Sequence, residues 1–180
     1  MRLWPDRRGI AAVEFAIALP ILATLFFGCL EVTMNILASE KVEKLAATSA
    51  DVIAQSEVAT LNGLDQLLVA TTEIMEPFDF GSDGVVIITS VYRGVDQPYA
   101  KVNWRHSGGG GLPATSELGA VGQQAHLPDG FTLNERENVI VAEVFYQYQP
   151  MFPGVLLDTR TIYRKALFKP RLSALTTPPA

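Results

Sequence analysis

The sequence predicts an α+β protein: a long N-terminal transmembrane helix, a second helix, and a C-terminal antiparallel sheet of about four strands. Three observations predict it. An uncharged run near the N-terminus is long enough to cross a bilayer. Apolar residues at three- and four-residue spacing continue that run as a helix. Beyond residue 80 the apolar period drops to two, the period of strands with one buried face.

The first element begins in "RRGIAAVEFAIALPILATLFFGCL". Phe15 to Leu30 are 16 consecutive residues without formal charge, bracketed by Glu14 and Glu31. Ile10 to Leu30 is 21 residues, matching the ~20 that a helix needs to span hydrocarbon. Arg2, Arg7 and Arg8 precede the run, so the positive-inside rule places the N-terminus in the cytoplasm and the remainder outside. "FFGCLEV" offers no small-residue cleavage pattern of a secretory signal peptide. Pro20 removes one helical donor and predicts a kink, while Gly28 and Cys29 are small enough to let another helix approach.

"EVTMNILASEKVEKLAATSADVIAQS" contains neither Gly nor Pro, so nothing halts the helix at the membrane surface. Val42, Leu45, Ala46, Ser49 and Ile53 form a stripe that needs a partner, and a helix from about Ile10 to Gln55 would be ~70 Å long. A second helix follows "SEVATLNG", with Leu64, Leu67, Leu68, Thr71, Ile74 and Met75 on one face and Pro77 at its end. An antiparallel pair above the membrane is expected.

Strands come next. "VVIITSVYR" and "YAKVNWR" flank the turn "RGVDQP", and Ala100, Val102 and Trp104 alternate with polar neighbours as in a hairpin with one buried face. A Gly-rich excursion of about thirty residues is expected as a flexible loop open to partners. Asn138–Pro150 and Thr159–Arg171 supply two more strands, with Tyr146 and Tyr148 as ordinary strand aromatics. The expected organisation is a leader at 1–9, a transmembrane helix at 10–31 and extracytoplasmic helices at 32–77. A β body at 78–171, with the Gly-rich loop at 107–137, and a flexible tail at 172–180 complete it. Strand order is not readable.

Gly9 closes a basic leader, and counting from Ile10 as the first residue makes Glu14 the fifth and Phe15 the sixth. This resembles the cleavage motif of type IV prepilins, above all the tight-adherence (Flp) class, in which Gly precedes four variable residues and then Glu with an aromatic. "EFAIALPIL" followed by "FFGCLEV" resembles the opening of the TadE-like family of minor pseudopilins, and "VFYQYQPMFP" resembles a strand of the same family.

The resemblance implies a protein of the bacterial inner membrane, cut between Gly9 and Ile10 by a prepilin peptidase on the cytoplasmic side. Its implied partners are other minor pseudopilins, the major Flp pilin, the inner-membrane assembly platform and membrane lipid. Its implied function is pilus initiation and assembly, and so adherence. Glu14 and Phe15 become assembly and register residues, with Glu14 meeting the freed amine of a neighbouring subunit. Pairing with its own Ile10, or snorkelling to headgroups, stays open. So does an uncleaved single-pass periplasmic scaffold or sensor. A type II secretion minor pseudopilin resembles the chain less, because that class usually has Phe where this chain has Ile10 and rarely an aromatic where it has Phe15.

The remaining sequence points away from catalysis, and no cofactor or metal is expected. A net charge of −5 argues against a general nucleic-acid binder, because phosphate neutralisation needs a Lys/Arg excess. His106 and His126 have neither metal-ligand spacing nor a Cys partner, and Cys29 is the lone cysteine. Gly108 to Gly111 lack the Lys-Ser/Thr of a phosphate loop. Asp79, Asp83 and Asp96 read as turn formers.

Overall fold

The structure, a computed structural model, describes residues 8–154 and 157–179, with Arg8 described by its backbone alone. Arg2 and Arg7, and with them most of the expected leader, lie outside the described residues. The chain forms α1 (Arg8–Ala54), α2 (Leu61–Thr72), a short 3₁₀ turn (Glu73–Met75), and strands β1 (Gly84–Tyr92), β2 (Lys101–Gly108), β3 (Asn138–Tyr148) and β4 (Arg160–Phe168). These make the α+β fold expected: one long apolar helix, a second helix and a four-stranded antiparallel sheet.

The 47 residues of α1 run unbroken through Pro20, where Thr24 Oγ1 donates to the Pro20 carbonyl at 2.8 Å. Two environments divide the helix. Its N-terminal half touches almost nothing, whereas Ala38, Val42, Leu45, Ala46, Ala50 and Ile53 are buried to within 1%. The stripe read from the sequence is the face that lies on β3 and β4. Full burial of a side chain such as Leu45 stabilises by about 1.5–3 kcal/mol, so this face holds the helix to the body.

Thr60 caps α2 by accepting from Gly63 N–H at 3.2 Å. The helix returns along α1: Ser49 Oγ meets Thr71 Oγ1, and Lys41 Nζ reaches the Ile74 carbonyl at 2.9 Å. The pair is antiparallel.

The sheet order is β2-β1-β3-β4, every neighbour antiparallel. Val86, Ile88, Ile140, Ala142 and Val144 face the helices. The hairpin differs from expectation in one respect. A bulge opposite Ser90 and Val91 skips Asn103, so Trp104 joins the helix-side core while Val102 faces the other side. One extra residue flips the two-residue alternation. The hairpin has two buried faces.

That second face corrects the reading of the Gly-rich segment. Rather than an open flexible loop, residues 109–137 fold over the outer side of the sheet. Leu118, Ala125 and Leu133 cover Val91, Val102, Val139 and Val141, and Leu112 and Ala114 cover Val85, Ile87 and Phe145. Gly110 permits the closest approach, since a Cβ there would sit 2.2 Å from the Gly84 carbonyl oxygen. A buried carboxylate ties the cover down. Glu143 of β3 accepts from Glu117 N–H at 2.9 Å, from Tyr163 Oη at 2.9 Å and from Ser116 Oγ, and Arg105 Nη2 donates to that serine at 2.8 Å. A fully buried carboxylate persists only with such partners.

Part of the terminal segment expected as a loose tail is strapped to the body. Leu175 is buried, and its carbonyl accepts from Ser90 Oγ and Trp104 Nε1, each at 2.8 Å. Its own N–H donates to Asn138 Oδ1 at 3.1 Å. Trp104 needs an acceptor for its indole N–H once buried, and the tail supplies it.

Candidate functional site

The residues singled out from the sequence stand together on the N-terminal half of α1. Gly9, Ile10, Glu14 and Phe15 are exposed, Ile10 at 58% and Phe15 at 62%. Glu14 lies one turn after Ile10, on the same helix face. Among the described residues no side chain is bonded to its carboxylate. A Cβ on Gly9 would meet nothing within 4 Å, so the fold itself makes no demand for glycine there. The Gly9–Ile10 peptide lies in the first described turn of α1. Pro20 and Gly28 lie farther along, with Gly28 half-buried. The best window of α1 has a mean hydropathy of 2.3 and is wholly uncovered, compatible with a single-pass membrane segment.

Where this bare half meets the body there is a collar that the sequence reading missed. Glu31 is 3% exposed, and its carboxylate accepts from Tyr148 Oη at 2.7 Å and from Met151 N–H at 2.9 Å. Burial first, then the Glu31 hydrogen bond and charge, push the Tyr148 hydroxyl well above the ordinary phenol range. One turn higher, Asn35 Oδ1 accepts from Arg160 Nη2, while the Asn35 Nδ2 atom is buried and has no partner among the described residues. One turn lower, the Phe27 and Phe152 rings meet edge-on, 5.4 Å between centroids. Tyr148 is therefore the pin between β3 and α1 rather than an ordinary strand aromatic. The only local hint was Glu31 closing the uncharged run; its partners lie 117 and 120 positions away.

With this geometry in view, comparison with protein families matches residues 9–51 to the model described as TadE-like protein. Over those residues the N-terminal helix is similar to TadE-like proteins. The match opens on Gly9 and ends within the part of α1 that packs on the sheet, so it covers both halves of the helix and leaves α2 and the strands outside. No curated protein and no solved structure matches the chain. The TadE-like helix associates the chain with tight-adherence pilus systems.

In the body, the polar side chains make structural bonds. His106 Nε2 pairs with Asp65 Oδ1 at 2.7 Å, tying β2 to α2. Asp79 Oδ1 accepts from Gly81 N–H at 2.9 Å, an Asx turn. Among the described residues no group of three His, Cys, Asp or Glu could hold a metal ion. Cys29 is a free, exposed thiol on the bare half of α1.

Proposed function

We propose that this chain is a minor pseudopilin of a tight-adherence pilus machine, cut by a prepilin peptidase between Gly9 and Ile10 and active in pilus initiation. The observation that carries the reading is the division of α1. Its lower half is apolar and uncovered, while its upper half forms the core of a folded body. Such a helix is anchored at one end and free at the other to exchange lipid for neighbouring helices.

The Gly9 position fits a recognition role, because packing does not require the missing side chain. Cleavage would create an amine at Ile10, one turn from Glu14. A carboxylate leaving the membrane surface among apolar helices needs a counter-charge, and breaking a buried pair costs about 3–5 kcal/mol. On this reading Glu14 sets register by meeting a neighbouring subunit's amine. The prepilin peptidase, the other minor pseudopilins, the major Flp pilin and the inner-membrane platform are then its partners, with the body in the periplasm.

Glu14→Ala tests the assembly role. The variant is expected to insert and fold as the parent does, yet to lose cross-linking to pilus subunits and to lower pilus number. Unchanged cross-linking and piliation would remove Glu14 from assembly.

A further inference from the structure

We propose that the body makes a second membrane contact of its own: the tip Met151–Phe152 enters the periplasmic leaflet beside α1, and Arg160 engages the lipid phosphates. This rests on the reading of residues 10–30 as a membrane span.

The span fixes the depth of everything bonded to it. Ile10 to Leu30 rises about 31 Å, against a hydrocarbon core of about 30 Å, which puts Glu31 at the periplasmic boundary. Phe27 then lies about 6 Å inside that boundary. The Phe152 ring packs on the Phe27 ring at 5.4 Å between centroids, which keeps it inside the boundary. Met151 and Phe152 are 61% and 41% exposed, large apolar surface that would otherwise face water. Between this tip and α1 runs a groove of about 350 Å³, lined by Leu30, Met34, Pro77 and Phe78 among others, wide enough for an acyl chain.

Two bonds hold the tip at this level. Glu31 accepts from Tyr148 Oη and from Met151 N–H, and these bonds keep its carboxylate buried at the boundary rather than bare. Asn35 lies about 6 Å above Glu31, inside a headgroup layer roughly 5–8 Å thick, and there Asn35 Oδ1 holds the exposed Arg160. Along the helix axis the order is apolar tip, satisfied carboxylate, guanidinium. A leaflet presents acyl chain, boundary and phosphate in that order, and guanidinium is well suited to phosphate oxygens. Such an order favours lipid over an apolar protein partner, which would leave Arg160 without an anion.

Lipid-attached bromine quenching of the full chain in phosphatidylcholine–phosphatidylglycerol vesicles tests the contact. In a W4F background Trp104, buried in the body, gives a constant signal. Phe152→Trp reports the tip, Met151→Trp repeats the test if the first variant fails to fold, and Leu22→Trp reports the span. The tip tryptophan is expected to be blue-shifted and quenched most by bromines near the glycerol end of the chain, with L22W quenched by deeper bromines. Arg160→Gln is expected to erase any gain in tip quenching from phosphatidylglycerol. Quenching of L22W without quenching at the tip would overturn this inference and leave the span standing. Loss of both would overturn the span reading and the inference with it. Tip shielding that disappears when protein is diluted in the vesicle would show a second copy on this face and overturn the lipid assignment. An unchanged phosphatidylglycerol preference in R160Q would overturn the phosphate contact.

Discussion

Replacing Tyr148 with Phe removes one hydroxyl and keeps the ring, which isolates the bond that pins α1 to β3. In the parent that hydroxyl donates to a Glu31 carboxylate that is 3% exposed, and among the described residues the only other partner is Met151 N–H. The variant leaves one carboxylate oxygen buried without a donor, a cost of about 1–3 kcal/mol. Packing is nearly conserved, so no cavity term adds. In a folded unit of roughly 150 residues each kcal/mol moves the midpoint by about 2–4 °C, giving an expected fall of about 4–8 °C for 2 kcal/mol. Near-ultraviolet circular dichroism of the full chain in micelles follows this unfolding, with the exposed Tyr99→Phe as a control. The Met151 amide should also exchange faster, because its acceptor then has room to turn toward water. If Y148F melts with Y99F, within about 0.5 kcal/mol, Glu31 does not depend on the hydroxyl and the pin is not one.

Deleting residues 172–180 is expected to destabilise the body by about 2–4 kcal/mol, since it uncovers the Leu175 site and strips the acceptor from Trp104 Nε1 and Ser90 Oγ. A chemical denaturation midpoint equal to the parent's would mean that the tail is loose after all. Alkali should weaken the fold through Tyr148 and Tyr163, whose hydroxyls are both raised above the ordinary value of 10.0, by burial first and then by Glu31 and Glu143 respectively. A raised folded-state pKa gives stability that is whole below the unfolded value and is lost as pH climbs past it. The denaturation midpoint should therefore fall from about pH 10 upward, and less so in Y148F and Y163F; a flat profile in that range would refute both assignments.

The parts legible in the sequence are those written in neighbouring residues. The stripe Val42, Leu45, Ala46, Ser49 and Ile53 reports a buried helix face because three- and four-residue spacing is a local signal. The strands announced themselves by β-branched runs bounded by turn residues. What stayed hidden depends on pairs far apart in the chain. Val102 and Trp104 look alike in the alternation, and only the partner strand determines the bulge that parts them. Residues 109–137 read as open because Gly and Pro mark loops, while the need to cover the outer face arises from the sheet as a whole. Glu31 and Tyr148 carry no local sign of each other, so the collar emerges only when helix and strand meet. The Gly9, Glu14 and Phe15 spacing is a linear motif, read without any long-range partner, and the family match opens on Gly9.

The most direct measurement is the intact mass of the protein extracted from membranes of cells that carry the prepilin peptidase. The pseudopilin reading predicts a chain beginning at Ile10, with Gly9→Ala retaining the leader. A parent protein that keeps Met1 to Gly9 while the pili assemble normally would contradict it.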